Sequence, residues 1–276
     1  ERGGSSRSGE AGGSVQQRRK AGRKRRRKEI EGVSDDGLFH LARHWSAQDV
    51  AAVGPVLSAV SAQGIFWETA SDAVKTSIQK LCQNMSASKA RRRPGSVGLV
   101  ALCLAGGLAH GSVVGIHAND FHTKAIQVLS EVSKDGDNDA AVPALLCFVE
   151  NYMKLRMQAY PASELGILVK ACSSLVDGGA GGRGGSQACH QVHVTHAVAS
   201  LLSVVGPCIA PNCPAPLLRT ITSTFHVLFQ SNEWPTIAET MASLEAFATT
   251  IPETHCSTVP QCYPQHLQPM LGSRMQ

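Results

Sequence analysis

From about residue 37 to 271 the chain alternates apolar and polar positions with helical period, broken at short intervals by Gly, Pro and Ser clusters. "WETASDAVKTSIQKLCQNM" sets Ala70, Val74, Ile78 and Leu81 on one face, at spacings of 4, 4 and 3. "DFHTKAIQVLSEVSK" aligns Phe121, Ile126, Leu129 and Val132. "AAVPALLCFVENYMKLRM", "ASELGILVKACSSLV", "QACHQVHVTHAVASLLSVV" and "PLLRTITSTFHVLFQ" repeat the theme. The last long helix, "WPTIAETMASLEAFATTI", carries Ile237, Met241, Leu244, Phe247 and Ile251 at spacings of 4, 3, 3 and 4, and Pro252 ends it. Trp234-Pro235 opens it, Pro being tolerated in a first turn where its missing N–H costs nothing. Two shorter helices are predicted earlier, "GLFHLARHW" and "SAQDVAAVGPVLSAVSAQ", the second with Ser46 as N-cap. No segment alternates with the period of a strand and ends in a hairpin turn.

About ten helices of roughly 10–20 residues joined by short loops imply antiparallel neighbours. The expected fold is all-α, a HEAT- or armadillo-like α-solenoid of antiparallel helix pairs behind a disordered basic tail. A globular bundle of the same helices is the structural rival. The expected division is a tail over 1–35, helical repeats over 36–176, a Gly-rich linker "DGGAGGRGGSQ" at 177–187 and a second helical region over 188–276.

Charge changes the picture at the amino end. The formal net charge is +5, but residues 1–30 hold 11 Lys/Arg against 3 Glu, and the other 246 residues carry a net −3. The basic run is Arg18, Arg19, Lys20, Arg23, Lys24, Arg25, Arg26, Arg27 and Lys28. A dense, flexible cluster of this kind serves nuclear import, and the same charges give weak non-specific contact with nucleic-acid phosphates. The slightly acidic body is not an obvious polyanion binder. A smaller basic cluster, Lys89 to Arg93, follows a helix end, where the helix dipole favours cations. It caps that helix or faces an acidic partner.

Between Arg93 and Asp120 no Asp, Glu, Lys or Arg occurs. "VGLVALCLAGGLAHGSVVGI", about 97–116, has nearly the length of a membrane span and follows "KARRRP". Gly107, Gly111 and Gly115 even share the spacing of packed membrane helices. The run also contains His110 and many glycines, and the Gly106-Gly107 pair reads as a helix end. A buried helix at about 97–109 followed by a Gly-rich loop fits better, so no membrane is expected.

Candidate chemistry is sparse. Nine cysteines at irregular spacing, several inside apolar helical runs, imply a reducing compartment and packing roles. Cys189, His193 and His196 lie on one side of a helix, a conceivable metal set, but a fourth ligand and the Glu of a His-Glu-x-x-His site are missing. Cys208/Cys213 and Cys256/Cys262 lack the two-residue gap of a zinc knuckle. Asp135, Asp137 and Asp139 alternate like the start of a calcium loop, without the Gly and terminal Glu in register. "GGAGGRGG" has no Gly-Lys-Ser/Thr ending, and no Gly-x-Ser-x-Gly elbow occurs. The reading is of a non-enzymatic protein with no catalytic residue, cofactor or metal.

One stretch carries a family resemblance. A Trp-led helix reading Ser-Leu-x-x-Phe-Ala, followed by x-Pro and Val-Pro-Gln-Cys, is similar to the C-terminal helical region of one family. These are the regulators of recombination and mitosis that bind the fidgetin-like AAA ATPase. The matching residues are Trp234, Leu244, Phe247, Ala248, Val259, Pro260, Gln261 and Cys262. The likeness covers about 30 residues, about 60 with the preceding helix (roughly 205–268), and the family's members extend well beyond the position of Gln276. It implies a nuclear, non-enzymatic α-solenoid partnered with that AAA ATPase, acting in homologous recombination and crosslink repair.

Overall fold

The computed structural model describes residues 72–110, 116–135, 141–156, 160–177, 186–231 and 234–262, with a few positions between 45 and 63. Within that range every regular element is helical. The α-helices are α1 (Asp72–Gln83), α2 (Ala87–Arg92), α3 (Pro94–His110), α4 (Ile116–Asp135), α5 (Ala141–Arg156), α6 (Ala162–Asp177), α7 (Ser186–Ser203), α8 (Ala215–Phe229) and α9 (Trp234–Thr250). Two 3-10 segments, Gly206–Cys208 and Glu253–Cys262, follow α7 and α9.

Prolines mark the helix starts. Pro94 and Pro235 stand in the first turns of α3 and α9, Pro143 in that of α5, and Pro214 and Pro216 bracket the start of α8. Ser86 caps α2, its hydroxyl accepting from the Lys89 N–H at 3.4 Å. Pro252 follows the end of α9.

The helices stack in two rows. In one, α3 packs on α5, α5 on α7 and α7 on α9. In the other, α4 packs on α6, α6 on α8, and α8 on the terminal 3-10 segment. The rows touch where sequence neighbours pair, α4 with α5, α6 with α7 and α8 with α9. The α4 row starts at residues 116, 162 and 215, intervals of 46 and 53; α5, α7 and α9 start at 141, 186 and 234, intervals of 45 and 48. Packing continues across the Gly-rich stretch, since α5 and α6 both contact α7 and α6 contacts α8. Helix α6 runs to Asp177 and α7 begins at Ser186, on either side of that stretch.

The helix α3 explains the uncharged run. Val97, Leu99, Val100, Ala101 and Ala105 are fully buried. Gly98 lies between rows of side chains: a Cβ there would stand 3.1 Å from Val50 Cγ1 and 3.7 Å from Ala144 Cβ of α5. A helix covered on both sides is apolar all round and has no polar face to display. The helix runs through Gly106-Gly107 to His110, within a residue of the expected end at about 109, because burial in the core offsets the roughly 1 kcal/mol that each glycine costs relative to alanine. Among the described residues no helix is long and apolar enough to cross a membrane.

The core is continuous. Phe121 of α4 and Phe148 of α5 meet edge to face at 4.7 Å, and Phe225 of α8 and Phe247 of α9 lie 5.6 Å apart. Ile78, Ile126, Leu129 and Val132 are buried as their spacing predicts, and Leu81 packs half-buried beside them. Of the stripe expected for α9, Leu244, Phe247 and Ile251 are buried and Ile237 packs half-buried, but the face is wider than expected and Met241 falls outside it. Thr236, Thr240, Ser243, Leu244 and Phe247 are buried, while Met241 is 46% exposed. Small hydroxyl side chains bring α9 close to its neighbours, and the larger Met turns outward. Close approach recurs at Gly206, where a Cβ would lie 3.1 Å from the Phe247 carbonyl oxygen and against the Thr250 hydroxyl.

Candidate functional site

The segment that carries the family resemblance splits into an exposed and a buried part. Trp234 heads α9 and is 72% exposed. Leu244 and Phe247 are buried against the core, as are Val259 and Cys262 in the terminal 3-10 segment; Pro260 is exposed. Gln261 belongs to the same segment, with its side chain outside the described residues. The segment is tied to the loop before α8: His255 Nε2 lies 3.2 Å from the Ala210 carbonyl oxygen, and Thr254 donates to that of Pro211 at 3.5 Å. Burial pushes the Cys262 thiol up to about 11, so it stays protonated and unreactive. A 3-10 run is slimmer than an α-helix and covers α8 only partly. A groove of 410 Å³ remains beside α8, floored by Leu218 and bounded by Arg219, Ser223, His226 and Thr258.

The tail residues Arg18 to Lys28 lie outside the described residues. So does the side chain of Cys189. Of its companions on α7, His193 is exposed, and His196 has its Nε2 3.3 Å from the Pro235 carbonyl oxygen at the start of α9. Among the described residues no three His, Cys, Asp or Glu side chains gather as metal ligands would. The described cysteines are all free thiols. Burial raises Cys82, Cys103 and Cys172 to about 12.

The second basic cluster is placed in detail. Lys80 ends α1, while Lys89, Arg91 and Arg92 fill the last turn of α2 and Arg93 caps it. From α4, Lys124 reaches across and donates to the Gln83 carbonyl oxygen at the end of α1. Partial burial lowers the Lys89 pKa, and the positive charges of Arg93 and Lys124 lower it further. Cations from three helices thus converge at one end of the stack.

A buried polar cluster joins α4, α5 and α6, and sequence inspection missed it. His122 is buried on α4. Its ring stacks on Tyr152 of α5 at 4.0 Å with 16° between planes. Its Nε2 lies 2.9 Å from the Tyr160 hydroxyl, and its Nδ1 lies 3.6 Å from Glu164 Oε2 of α6. With Nδ1–H turned toward the carboxylate, Nε2 accepts from the Tyr160 O–H. The Tyr152 hydroxyl donates to Asn119 Oδ1 at 2.6 Å, and Arg156 donates to the same oxygen at 3.1 Å. The Arg156 guanidinium also sits over the Tyr152 ring, 5.7 Å from its centre.

Burial, then the positive charge of Arg156, pulls His122 down to about 4. The ring is neutral at pH 7, so its 3.6 Å approach to Glu164 is neither an ion pair nor a hydrogen bond of normal length. Burial, with Glu164 next, pushes the Tyr160 hydroxyl far above its usual range. The cluster resembles an acid–base relay in composition, but His122, Tyr152 and Tyr160 are buried, with Glu164 part-exposed and Asn119 and Arg156 at the surface, and its chemistry is that of a hydrogen-bonded clamp. The sequence signal was the spacing of His122 to Ala125 and Ile126, on the apolar face of α4.

Comparison with protein-family models, with characterised proteins and with solved structures returns no match for this chain.

Proposed function

We propose that the chain is a non-enzymatic nuclear scaffold, an α-solenoid of HEAT or armadillo type that presents helix faces to a protein partner. The observation that carries this reading is the two-row stacking, in which each helix from α2 to α7 packs on the one two places ahead. Helix pairs recur at 45 to 53 residues, close to the roughly 40–47 of HEAT and armadillo units. Stacked pairs bury one side against each neighbour and leave extended surfaces for recognition. The partner implied by the resemblance at Trp234, Leu244, Phe247 and Val259–Cys262 is a fidgetin-like AAA ATPase, in the regulation of homologous recombination and crosslink repair. The basic run Arg18–Lys28 supplies nuclear entry.

Mixing the full chain with a purified fidgetin-like AAA ATPase tests the partner. Co-elution in size-exclusion chromatography at micromolar concentration is the expected result. Separate elution at every ratio removes the ATPase from the reading. Replacing Arg23–Lys28 by Gln in a fluorescent fusion is expected to leave the protein in the cytoplasm.

A further inference from the structure

We propose that the basic end of the stack, built from Lys80, Lys89, Arg92, Arg93 and Lys124, is a second binding surface for the phosphate backbone of nucleic acid. Three observations carry it. First, the cations come from three elements: Lys80 closes α1, Lys89 to Arg93 close α2, and Lys124 reaches over from α4 to the Gln83 carbonyl. Charge at a single helix end is explained by the dipole; Lys124 stands midway along α4, yet its ammonium is brought to the carbonyl end of α1 and within the field of Lys89. Second, Lys80, Arg92 and Arg93 are exposed and form no ion pair with a carboxylate among the described residues. Third, Lys89 loses proton affinity through burial first and through the positive charges of Arg93 and Lys124 next, which places the three cations within each other's field.

A nucleic-acid backbone fits better than an acidic protein. The two exposed arginines are long side chains with no fixed partner, and they suit a polyanion of regular charge more than a single matched carboxylate. Lys89 to Arg93 spans about 6 Å of helix axis, the reach of about two nucleotides at ~3.4 Å per nucleotide of one strand. Among the described residues no aromatic side chain belongs to the cluster, so contact is through phosphates and independent of sequence. This surface lies on the helical body and is distinct from the basic tail and from the ATPase contact proposed above; either can fail alone.

The test is fluorescence anisotropy on the full chain with a labelled oligothymidylate of about 30 nucleotides, across a salt series. The triple substitution Lys89→Gln, Arg92→Gln, Arg93→Gln is expected to weaken binding at least about tenfold at low salt. It should also flatten the slope of log K against log salt by roughly 2, about 0.7 per cation lost. Arg92→Lys with Arg93→Lys keeps the charge and is expected to keep the binding. Neutralising Arg23–Lys28 instead should leave the patch-dependent part of the slope in place. Three results overturn the proposal. One is affinity and slope unchanged by the triple substitution. Another is loss of binding in the charge-keeping variant. The third is tighter binding of polyglutamate than of the oligonucleotide, which assigns the patch to an acidic protein.

Discussion

Acidification is expected to loosen the fold through His122. Its folded pKa of about 4 lies below the 6.5 of a free imidazole. As pH falls, the unfolded chain takes up the proton first, and the linkage favours unfolding. The stability tied to neutral His122 is therefore whole above pH 6.5, declines below it, and is exhausted near pH 4. Between pH 7.5 and 4.5 the difference integrates to about 2–3 kcal/mol. The groups facing the ring are Tyr152, Tyr160, Glu164 and Arg156, and Arg156 opposes protonation. Urea unfolding followed by circular dichroism at the two pH values measures the loss. His122→Phe keeps an aromatic ring on Tyr152 and cannot titrate. It is less stable at neutral pH because the Tyr160 hydroxyl loses its partner, but it should lose about 2–3 kcal/mol less than the wild type on acidification. Equal losses in both proteins would refute the assignment, since every other titrating group is common to them.

Four other outcomes are expected. Phe247→Ala should cost about 3–5 kcal/mol by emptying a core position, whereas Trp234→Ala, at an exposed site, should stay within about 0.5 kcal/mol; thermal melts distinguish them. Gly206→Ala should lower the melting temperature, because its Cβ meets Thr250 and the Phe247 carbonyl, and pairing it with Thr250→Ser should recover little of the loss. Ser243→Ala should be neutral or stabilising by up to about 1 kcal/mol, since the Ser243 hydroxyl is buried without a hydrogen-bond partner. Under native conditions a thiol reagent should modify exposed Cys256 fast, while Cys82, Cys103 and Cys172 react only on unfolding.

Periodicity makes the helices legible, because each must bury one stripe. Ile78 and the stripe Phe121, Ile126, Leu129 and Val132 are buried as their spacing demands. Helix starts are legible from prolines, whose fixed φ suits a first turn. For α9 hydrophobicity finds Leu244, Phe247 and Ile251 but misplaces Met241 and overlooks the buried hydroxyl residues. At a close helix contact the size of Thr236, Thr240 and Ser243 decides what fits, and Met241 is left outside. The end of α3 at His110 lies within a residue of the expected 109, although the Gly106-Gly107 pair alone marks an earlier stop, because local propensity ignores what packs around it. The polar cluster was invisible for another reason: His122, Tyr152 and Glu164 stand about 12 to 42 positions apart, and only the packing of α4 against α5 and α6 brings them together. The cations of α2 were visible, but their convergence with Lys124 depends on the same packing.

The seam between α7 and α9 has a mechanical consequence. The hydroxyls of Thr236 and Ser243 make no hydrogen bond, and that of Thr240 is returned to its own helix, to the Thr236 carbonyl at 2.6 Å. Among the described residues, side-chain hydrogen bonding between α7 and α9 is found at the start of α9, where His196 meets Pro235. The two helices therefore adhere by dispersion between small, shallow side chains, which resists separation far more than sliding. Under load the last helix would shear along its neighbour before it peeled away, making this joint the compliant hinge of the stack.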